Sequence, residues 1–540
     1  MLTIIISWMV LFVLISLVGR FFIKNGEWYE YFWVGLVSTI AILQIWSLFL
    51  PVNIYPLIFI AILACVSAIF FFRKGVKPSK IKLTFFFCSI LILFAISYFA
   101  SLSSGWPDTY GYHLNAVKWS SLYKVVPGLA NLHTRLGFNS SFFLFASMMD
   151  NLFLKDRSTH VALSLIASVV SIEFLWLLFK SKNRHIKTFV LLVLPIFVAN
   201  IVKSGQISSL SYDFAMLMVI LAICIELIKG SKKSILIAVA LSIMLVTIKL
   251  SGAVFSLVVV AYVVYKLFIE KTELKKIILT FTFLGSVLLI PYVVRNIILS
   301  GWPLYPLPAL KLNISWAVSE SRVTGLFEVI KAWAILPGSQ YHNVIGLPVW
   351  KWFPSWLARN SGSYEIRIFF LTILFFVFSI FLKFISKKII KQNTGLAICV
   401  AASFASIVYL IFSAPDLRFG GVFFWVFFAS FGSFFFVELF KRHPYLEKFL
   451  VALSVFLVLF ISWPPKLESE IMLKSIRWEQ SQVHNQVLIV PKDGSSPFKI
   501  YTPEPEGSCG NSELPCTPEV NNNFKEIVPG DMSKGFAPVN

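Results

Sequence analysis

Runs of about twenty consecutive apolar residues recur along this chain, and short basic clusters separate them. Such a run matches the thickness of a bilayer's hydrocarbon core, where every backbone polar group must be paired internally, so the pattern calls for membrane-spanning helices. Composition agrees: of 540 residues, 58% are hydrophobic and only 14% charged. The formal net charge of +21 raises nucleic acid as a partner. Its distribution argues against that, because the basic residues alternate with apolar spans and do not line one continuous face.

The basic clusters set the topology. Arg20 and Lys24 form the first, and Arg73, Lys74, Lys77, Lys80 and Lys82 the second. Lys180, Lys182, Arg184 and Lys187 follow, then Lys229, Lys232 and Lys233, then Lys266, Lys271, Lys275 and Lys276. The last two groups are Lys383, Lys387, Lys388 and Lys391, and Lys441, Arg442 and Lys448. Placing all of them in the cytoplasm predicts an all-α integral membrane protein with about fourteen spans and both termini outside. The spans fall at 2–19, 31–50, 56–72, 83–102, 160–180, 187–203, 212–229, 234–250, 252–269, 277–298, 366–386, 395–412, 420–440 and 446–463. Residues 2–19 lack a basic leader and a small-residue cleavage site, so they read as a retained span and not a signal peptide.

Residues 138–154 are apolar enough to be counted as a further span, but counting them would put every later basic cluster on the wrong side. Asn139, Ser140, Ser141, Asp150 and Asn151 interrupt the stretch, and an interfacial helix on the outer surface is expected there. The chain then divides into N-terminal helices (1–82), a transmembrane core (83–463) with outer loops 103–159 and 299–365, and an outer tail (464–540). The second loop is rich in tryptophan: Trp302, Trp316, Trp333, Trp350, Trp352 and Trp356 form either an interfacial layer or the lining of a sugar or lipid groove. The tail, opened by Pro464-Pro465, carries an apolar run at Val487–Val490 and reads as a small, loop-rich appendage with a few short strands. Cys509 and Cys516 favour a local disulfide over a metal site, since His484 is the only tail histidine. Cys65, Cys88, Cys224 and Cys399 fall in apolar spans and read as core thiols.

Ionisable residues gather at the outer ends of the spans. Gly105-Trp106-Pro107-Asp108-Thr109-Tyr110-Gly111-Tyr112-His113 follows the fourth span. Asp108 there is either a turn cap or a general base that shares a helix face with Tyr112, with His113 close by. Asp213 opens the seventh span as a cap or a second acid. Lys249 either snorkels or neutralises a phosphate. Arg295 is the only basic residue of its span and sits on its outer half, which calls for an anionic partner. Arg418 either pairs with Asp416 in a tight turn or contacts substrate. The cofactor is left open: a carboxylate pair such as Asp108 and Asp213 can bind a divalent metal, but nothing in the sequence indicates one.

In the order of these motifs, residues 83–440 resemble the GT-C superfamily of polytopic, polyprenyl-phosphate-dependent glycosyltransferases. Asp108 is similar to the catalytic first-loop Asp of that fold, and 138–154 to the juxtamembrane helix that follows it. Asp213 resembles the acid opening a later span, and Lys249 in Thr247–Gly252 resembles the lysine of a Thr-Lys segment. Arg295-Asn296 with Gly301-Trp302-Pro303-Leu304-Tyr305-Pro306 is similar to the Arg-Asn and Gly-Asn-Pro-x-Tyr-Pro stretch of many members, and Arg418 to the arginine of a late span. The Asp-x-x-x-Tyr-His form, the Arg-Phe-Gly-Gly turn and the Cys and Pro-Cys-Thr-Pro tail resemble a bacterial subgroup. Many members carry a second acid after the first-loop Asp; here that position is Thr109.

The resemblance implies an inverting glycosyltransferase of the bacterial inner membrane, acting at its outer face. Asp108 would deprotonate the acceptor hydroxyl, Tyr112 and His113 would orient it, and Lys249, Arg295 and Arg418 would hold the donor phosphate. Asp213, Asn296 and Tyr305 complete the expected substrate-binding set. The partners would be a polyprenyl-phosphate-linked sugar, a glycan or glycolipid acceptor and membrane lipid. A transporter or flippase of lipid-linked sugars, a polymerase or ligase of such glycans, and a membrane scaffold are the competing readings.

Overall fold

The computed structural model describes residues 1–72, 83–203, 205–270, 274–381, 393–461, 485–503 and 508–539. The basic clusters at 73–82 and 383–391, Lys271, the ends of the spans predicted at 366–386 and 446–463, Pro464-Pro465 and His484 lie outside the described residues.

Helices dominate. In chain order they are α1 (Leu2–Phe22), α2 (Trp28–Phe49), α3 (Ile54–Phe72), α4 (Leu83–Ser101), α5 (Leu114–Leu122), α6 (Leu129–Leu132) and α7 (Ser141–Met149). There follow α8 (Ser158–Lys180), α9 (Arg184–Lys203), α10 (Tyr212–Lys229), α11 (Lys232–Ile248), α12 (Ala253–Glu270) and α13 (Leu274–Ser300). The series ends with α14 (Glu320–Ile335), α15 (Val349–Asn360), α16 (Tyr364–Phe381), α17 (Thr394–Ser413), α18 (Leu417–Arg442) and α19 (Pro444–Ile461). Each predicted span overlaps one of these helices. Among the described residues, nine helical segments are long and apolar enough to cross a membrane by length and composition.

Burial sorts the helices into layers. From Asp213 to Ile228 every residue of α10 is buried, and α8 and α11 are nearly as enclosed. The outer helices instead expose large apolar side chains: Phe59 on α3, Phe86 and Phe87 on α4, Leu257 and Phe268 on α12, Phe283 on α13 and Phe456 on α19. A water-facing surface would not carry such a belt, whereas a lipid-facing one would. Lipid tails are as apolar as these side chains, so close packing and buried polar bonds must hold the helices together. Gly19 and Gly35 supply the first, for a Cβ on Gly35 would stand 1.9 Å from the Ile15 carbonyl oxygen. Trp33 Nε1, which donates to Glu173 Oε2 at 2.8 Å, and Trp8 Nε1, which donates to Ser164 Oγ at 3.1 Å, supply the second.

Residues 138–154 depart from expectation. Helix α7 has nine residues and all nine are buried, so it is an interior helix and not one lying on the surface. At about 13 Å it is far too short to span a bilayer. Its polar residues point inward to partners: Ser140 Oγ donates to Ile248 O (2.8 Å), Ser141 Oγ meets Thr247 Oγ1 (2.9 Å), and Ser147 Oγ donates to Val117 O (3.0 Å). Polar residues in an apolar run therefore mark internal bonds here, not a water-facing side.

Other expectations divide. Cys224 and Cys399 are buried, Cys88 is partly so, and Cys65 is exposed on the outward face of α3, so it is not a core thiol. In the second loop Trp302, Trp352 and Trp356 are buried while Trp333 and Trp350 are exposed, which is not one continuous layer. The tail forms two antiparallel pairs, β1 (Asn485–Ile489) with β2 (Phe498–Thr502) and β3 (Phe524–Glu526) with β4 (Phe536–Pro538). The Sγ atoms of Cys509 and Cys516 lie at bonding distance, 2.04 Å.

The tail docks on the first loop. Phe536 N donates to Pro127 O (3.0 Å), Gly510 N to Tyr110 O (2.9 Å) and Lys118 Nζ to Ser512 O (2.8 Å). The approach at Pro127–Gly128 needs two glycines. Gly535 (φ +99°) and Gly128 (φ +61°) hold left-handed backbone, and a Cβ on either would meet a carbonyl oxygen of the other strand within 2.0 Å.

Candidate functional site

The motif after α4 folds as one helical segment that begins at Pro107, a residue suited to a first helical turn because its missing N–H needs no partner there. From Thr109 to His113 the segment is π-helical, and Leu114 N donates back to Thr109 O. Single π turns inside helices recur at functional sites. The wider turn also breaks the α-helical spacing that would align Asp108 with Tyr112. Tyr112 and His113 both turn inward and are buried, while Asp108 turns to cations from elsewhere in the chain.

Asp108 Oδ1 accepts from Arg135 Nη1 at 3.2 Å and Oδ2 from Arg418 Nη1 at 3.1 Å. Arg418 also approaches Asp416 (3.7 Å), whose carboxylate caps α18 by accepting from Arg418 N at 2.9 Å. Lys249, at the C-terminal end of α11, forms an ion pair with Asp213 in the first turn of α10. Acids in a first helical turn favour the positive end of the helix dipole, and Ser211, not Asp213, is the side-chain cap of α10. The Phe419 ring joins the two ion pairs: Lys249 Nζ stands 4.2 Å from its centroid and Arg418 Cζ 4.7 Å.

Three acids (Asp108, Asp213, Asp416) thus face three cations (Arg135, Lys249, Arg418). Asp213 and Arg418 line a cavity of about 130 Å³, together with Asn200, Gln206, Glu365 and Trp425. Glu365 packs against Gly421, where a Cβ would stand 3.2 Å from its Oε1.

An aromatic wall backs the cluster. The hydroxyls of Tyr112 and Tyr212 are 2.9 Å apart, and His113 packs among Tyr112, Tyr212 and Phe143. Burial, followed by the Tyr212 and Asp108 charges, pushes the Tyr112 phenol well above its ordinary value, so it stays a hydroxyl. Burial, then the charges of Arg135, Arg418 and Lys249, holds the His113 imidazole well below its ordinary value. His113 is neutral at physiological pH, and neither ring nitrogen has a hydrogen-bond partner among the described residues.

Of the residues expected at the site, Asp108, Tyr112, His113, Asp213, Lys249 and Arg418 come together; Arg295, Asn296 and Tyr305 do not join them. Asn296 Nδ2 donates to Pro303 O (2.8 Å) and Tyr305 OH to Thr134 O (2.7 Å), so both fix the path of the second loop. Arg295 lies beyond Phe138 and Phe143, where its Nε donates to Asn139 Oδ1 at 3.0 Å. The phosphate-holding trio expected from sequence is therefore split. Three residues were not anticipated: Arg135, Tyr212 and Glu365. Only Glu365 left a signal, an acid directly before an apolar span. Among the described residues no group of three or more His, Cys, Asp or Glu side chains is placed to share a metal ion.

A family described as a domain of unknown function, DUF8201, matches residues 1–425. The chain belongs to the DUF8201 family. No curated protein and no solved structure matches it. The DUF8201 region contains all six residues of the charge cluster, from Asp108 to Arg418, so the cluster belongs to the matched part of the chain and not to the tail.

Proposed function

We propose that this DUF8201 protein is an inverting glycosyltransferase of GT-C type, moving a sugar from a polyprenyl-phosphate-linked donor to a glycan or glycolipid acceptor at the outer face of the bacterial inner membrane. About fourteen spans, with the tail and its Cys509–Cys516 pair outside, belong to the same reading. One observation carries it: three ion pairs, Asp108 with Arg135, Asp108 with Arg418 and Asp213 with Lys249, gather at a common end of the apolar helices, where Asp213 and Arg418 line one polar cavity.

As they stand, both oxygens of Asp108 are engaged by guanidinium groups. A donor phosphate entering the cavity would compete for Arg418 and Lys249, because charge-assisted contacts to phosphate are strong. Asp108 Oδ2 would then be released to take the proton of an acceptor hydroxyl. The hydroxyl oxygen attacks C1 of the sugar, the C1–O bond to phosphate breaks, and the leaving phosphate keeps the electron pair, stabilised by the two cations. Ion pairing thus keeps the base silent until donor is present. Tyr112 and Tyr212 would fix the position of the π turn that carries Asp108.

The test uses the full chain in proteoliposomes with a radiolabelled polyprenyl-phosphate sugar and a lipid-linked acceptor. Asp108→Asn should lower transfer by about 10²–10⁴-fold, the usual contribution of a general base. Unchanged transfer in that variant sinks the base assignment. Movement of labelled lipid across the bilayer without any new glycosidic bond would favour the flippase reading instead.

A further inference from the structure

Two acids line the cavity, and only one of them has a counter-charge. Asp213 is paired with Lys249, whereas Glu365 forms an ion pair with no cation among the described residues. Glu365 is 8% exposed, and the buried Trp425 donates from Nε1 to its Oε1 at 3.3 Å. One long bond from a neutral donor compensates a buried carboxylate poorly, so such a group persists where something else uses it. A buried ionisable side chain facing a cleft is a candidate for function on that ground.

Direct contacts tie the neighbouring polar groups to Glu365. Asn200 Nδ2 donates at 3.0 Å to the hydroxyl of Tyr364, the residue before Glu365, and the Tyr364 and Trp425 rings are 6.0 Å apart. Asn200 Oδ1 is buried and has no donor among the described residues. The surplus at this end of the cavity is therefore acceptor capacity. The cation Arg418 lies close by on α18, since Glu365 packs against Gly421, three residues after it. Three residues of helix rise about 4.5 Å, here with a kink at Gly420 between them. The cavity holds about 130 Å³, whereas a single water needs only about 10–15 Å³, so a small polar molecule fits between cation and acceptors.

We infer that Glu365 and Asn200 read the sugar of the donor, accepting hydrogen bonds from its hydroxyls on the side away from C1, and that Glu365 excludes acidic sugars. This rests on the reading above, in which the donor phosphate takes Arg418 and Lys249. The substrate class is then a neutral, polyhydroxylated sugar. Each of its hydroxyls brings the O–H that the two acceptors lack. A hexuronate would instead bring a second carboxylate into a cavity that already holds one without a cation, and an unpaired charge is an effective way to reject a ligand. Glu365 sets specificity; the proton transfer stays with Asp108.

The experiment reads binding and transfer side by side, with the full chain in neutral-lipid nanodiscs. The probes are farnesyl-phosphate-linked glucose, galactose and mannose and the three matching hexuronates; thermal shift reports binding, and a lipid-linked acceptor reports transfer. The unaltered protein should bind at least one neutral-sugar donor about tenfold or more tighter than its hexuronate. Glu365→Gln keeps the shape and removes the charge, so it should weaken that donor about tenfold and strengthen the hexuronate, collapsing the preference. Glu365→Asp keeps the charge and should keep the rejection of hexuronates. Asn200→Asp adds a second charge and should sharpen that rejection, which carries the test if Glu365→Gln shows no melting transition. Equal binding of neutral and acidic donors, a preference unmoved by these changes of charge, or binding of neither class overturns the proposal. The expected preference without transfer of any sugar keeps the specificity assignment and sinks the transferase reading.

Discussion

The hydroxyls of Tyr112 and Tyr212 are 2.9 Å apart although a hundred residues separate them, and the Tyr112 side chain is buried. Removing one hydroxyl leaves the other without a partner, and stranding a buried polar group costs about 1–3 kcal/mol. Tyr212→Phe should therefore lower the melting temperature measurably. The double variant Tyr112→Phe/Tyr212→Phe should recover most of that loss, because neither hydroxyl is then stranded. Additive losses in this double-mutant cycle would show that the pair does not couple. The same distance in sequence explains what could be read in advance. Asp108, Asp213, Lys249 and Arg418 were legible because charge at the end of an apolar span is conspicuous. Their pairing was not, since Arg418 meets Asp108 across 310 positions and nothing local encodes that contact. Arg135 was passed over because a loop arginine is unremarkable until the fold gives it a carboxylate.

Among the elements, α1 and α2 show how packing substitutes for the hydrophobic effect inside a bilayer. A Cβ on Gly35 would meet the Ile15 carbonyl oxygen at 1.9 Å, and one on Gly19 the Tyr31 carbonyl oxygen at 1.8 Å. These are backbone atoms, so the helices must separate to admit a methyl. Gly35→Ala is expected to destabilise by about 1–3 kcal/mol, the usual cost of overpacking. Gly285 in α13 has open space around it, and Gly285→Ala should hold or raise stability through helix propensity. Melting curves in one detergent compare the two; equal effects would remove the packing argument. The helical character of α7 followed from its apolar run, but its place did not. Burial on every face depends on α2, α5, α8 and α11 enclosing it, and a one-dimensional pattern cannot report neighbours so remote.

Across the whole molecule, the tail is fastened to the first loop through Glu519. It accepts from Thr134 Oγ1 (2.6 Å) and Arg322 Nη2 (2.9 Å) and lies 3.5 Å from His133 Nε2. Burial lowers the His133 imidazole to about 4, outweighing the opposing pull of Glu519. Its ordinary value is about 6.5, so the unfolded chain takes up a proton that the folded one refuses. The stability this contributes is present above pH 6.5 and is lost as pH falls through 4, up to about 3 kcal/mol. Protease sensitivity of the tail should therefore rise between pH 6.5 and 4, and His133→Asn should flatten that dependence. Glu519→Ala should loosen the tail at neutral pH by about 1–3 kcal/mol, read by the same cleavage. The sequence by itself determined the membrane-suited helices, their approximate limits and the residues costly enough to need a purpose. Each follows from local pattern, through span length, charge placement and the price of an ion near lipid. Only the tertiary structure decided which ions neutralise one another, that Arg295 stands apart from them, and that the tail seats on the loop carrying Asp108. Those outcomes depend on contacts between residues distant in the chain, which no local pattern records.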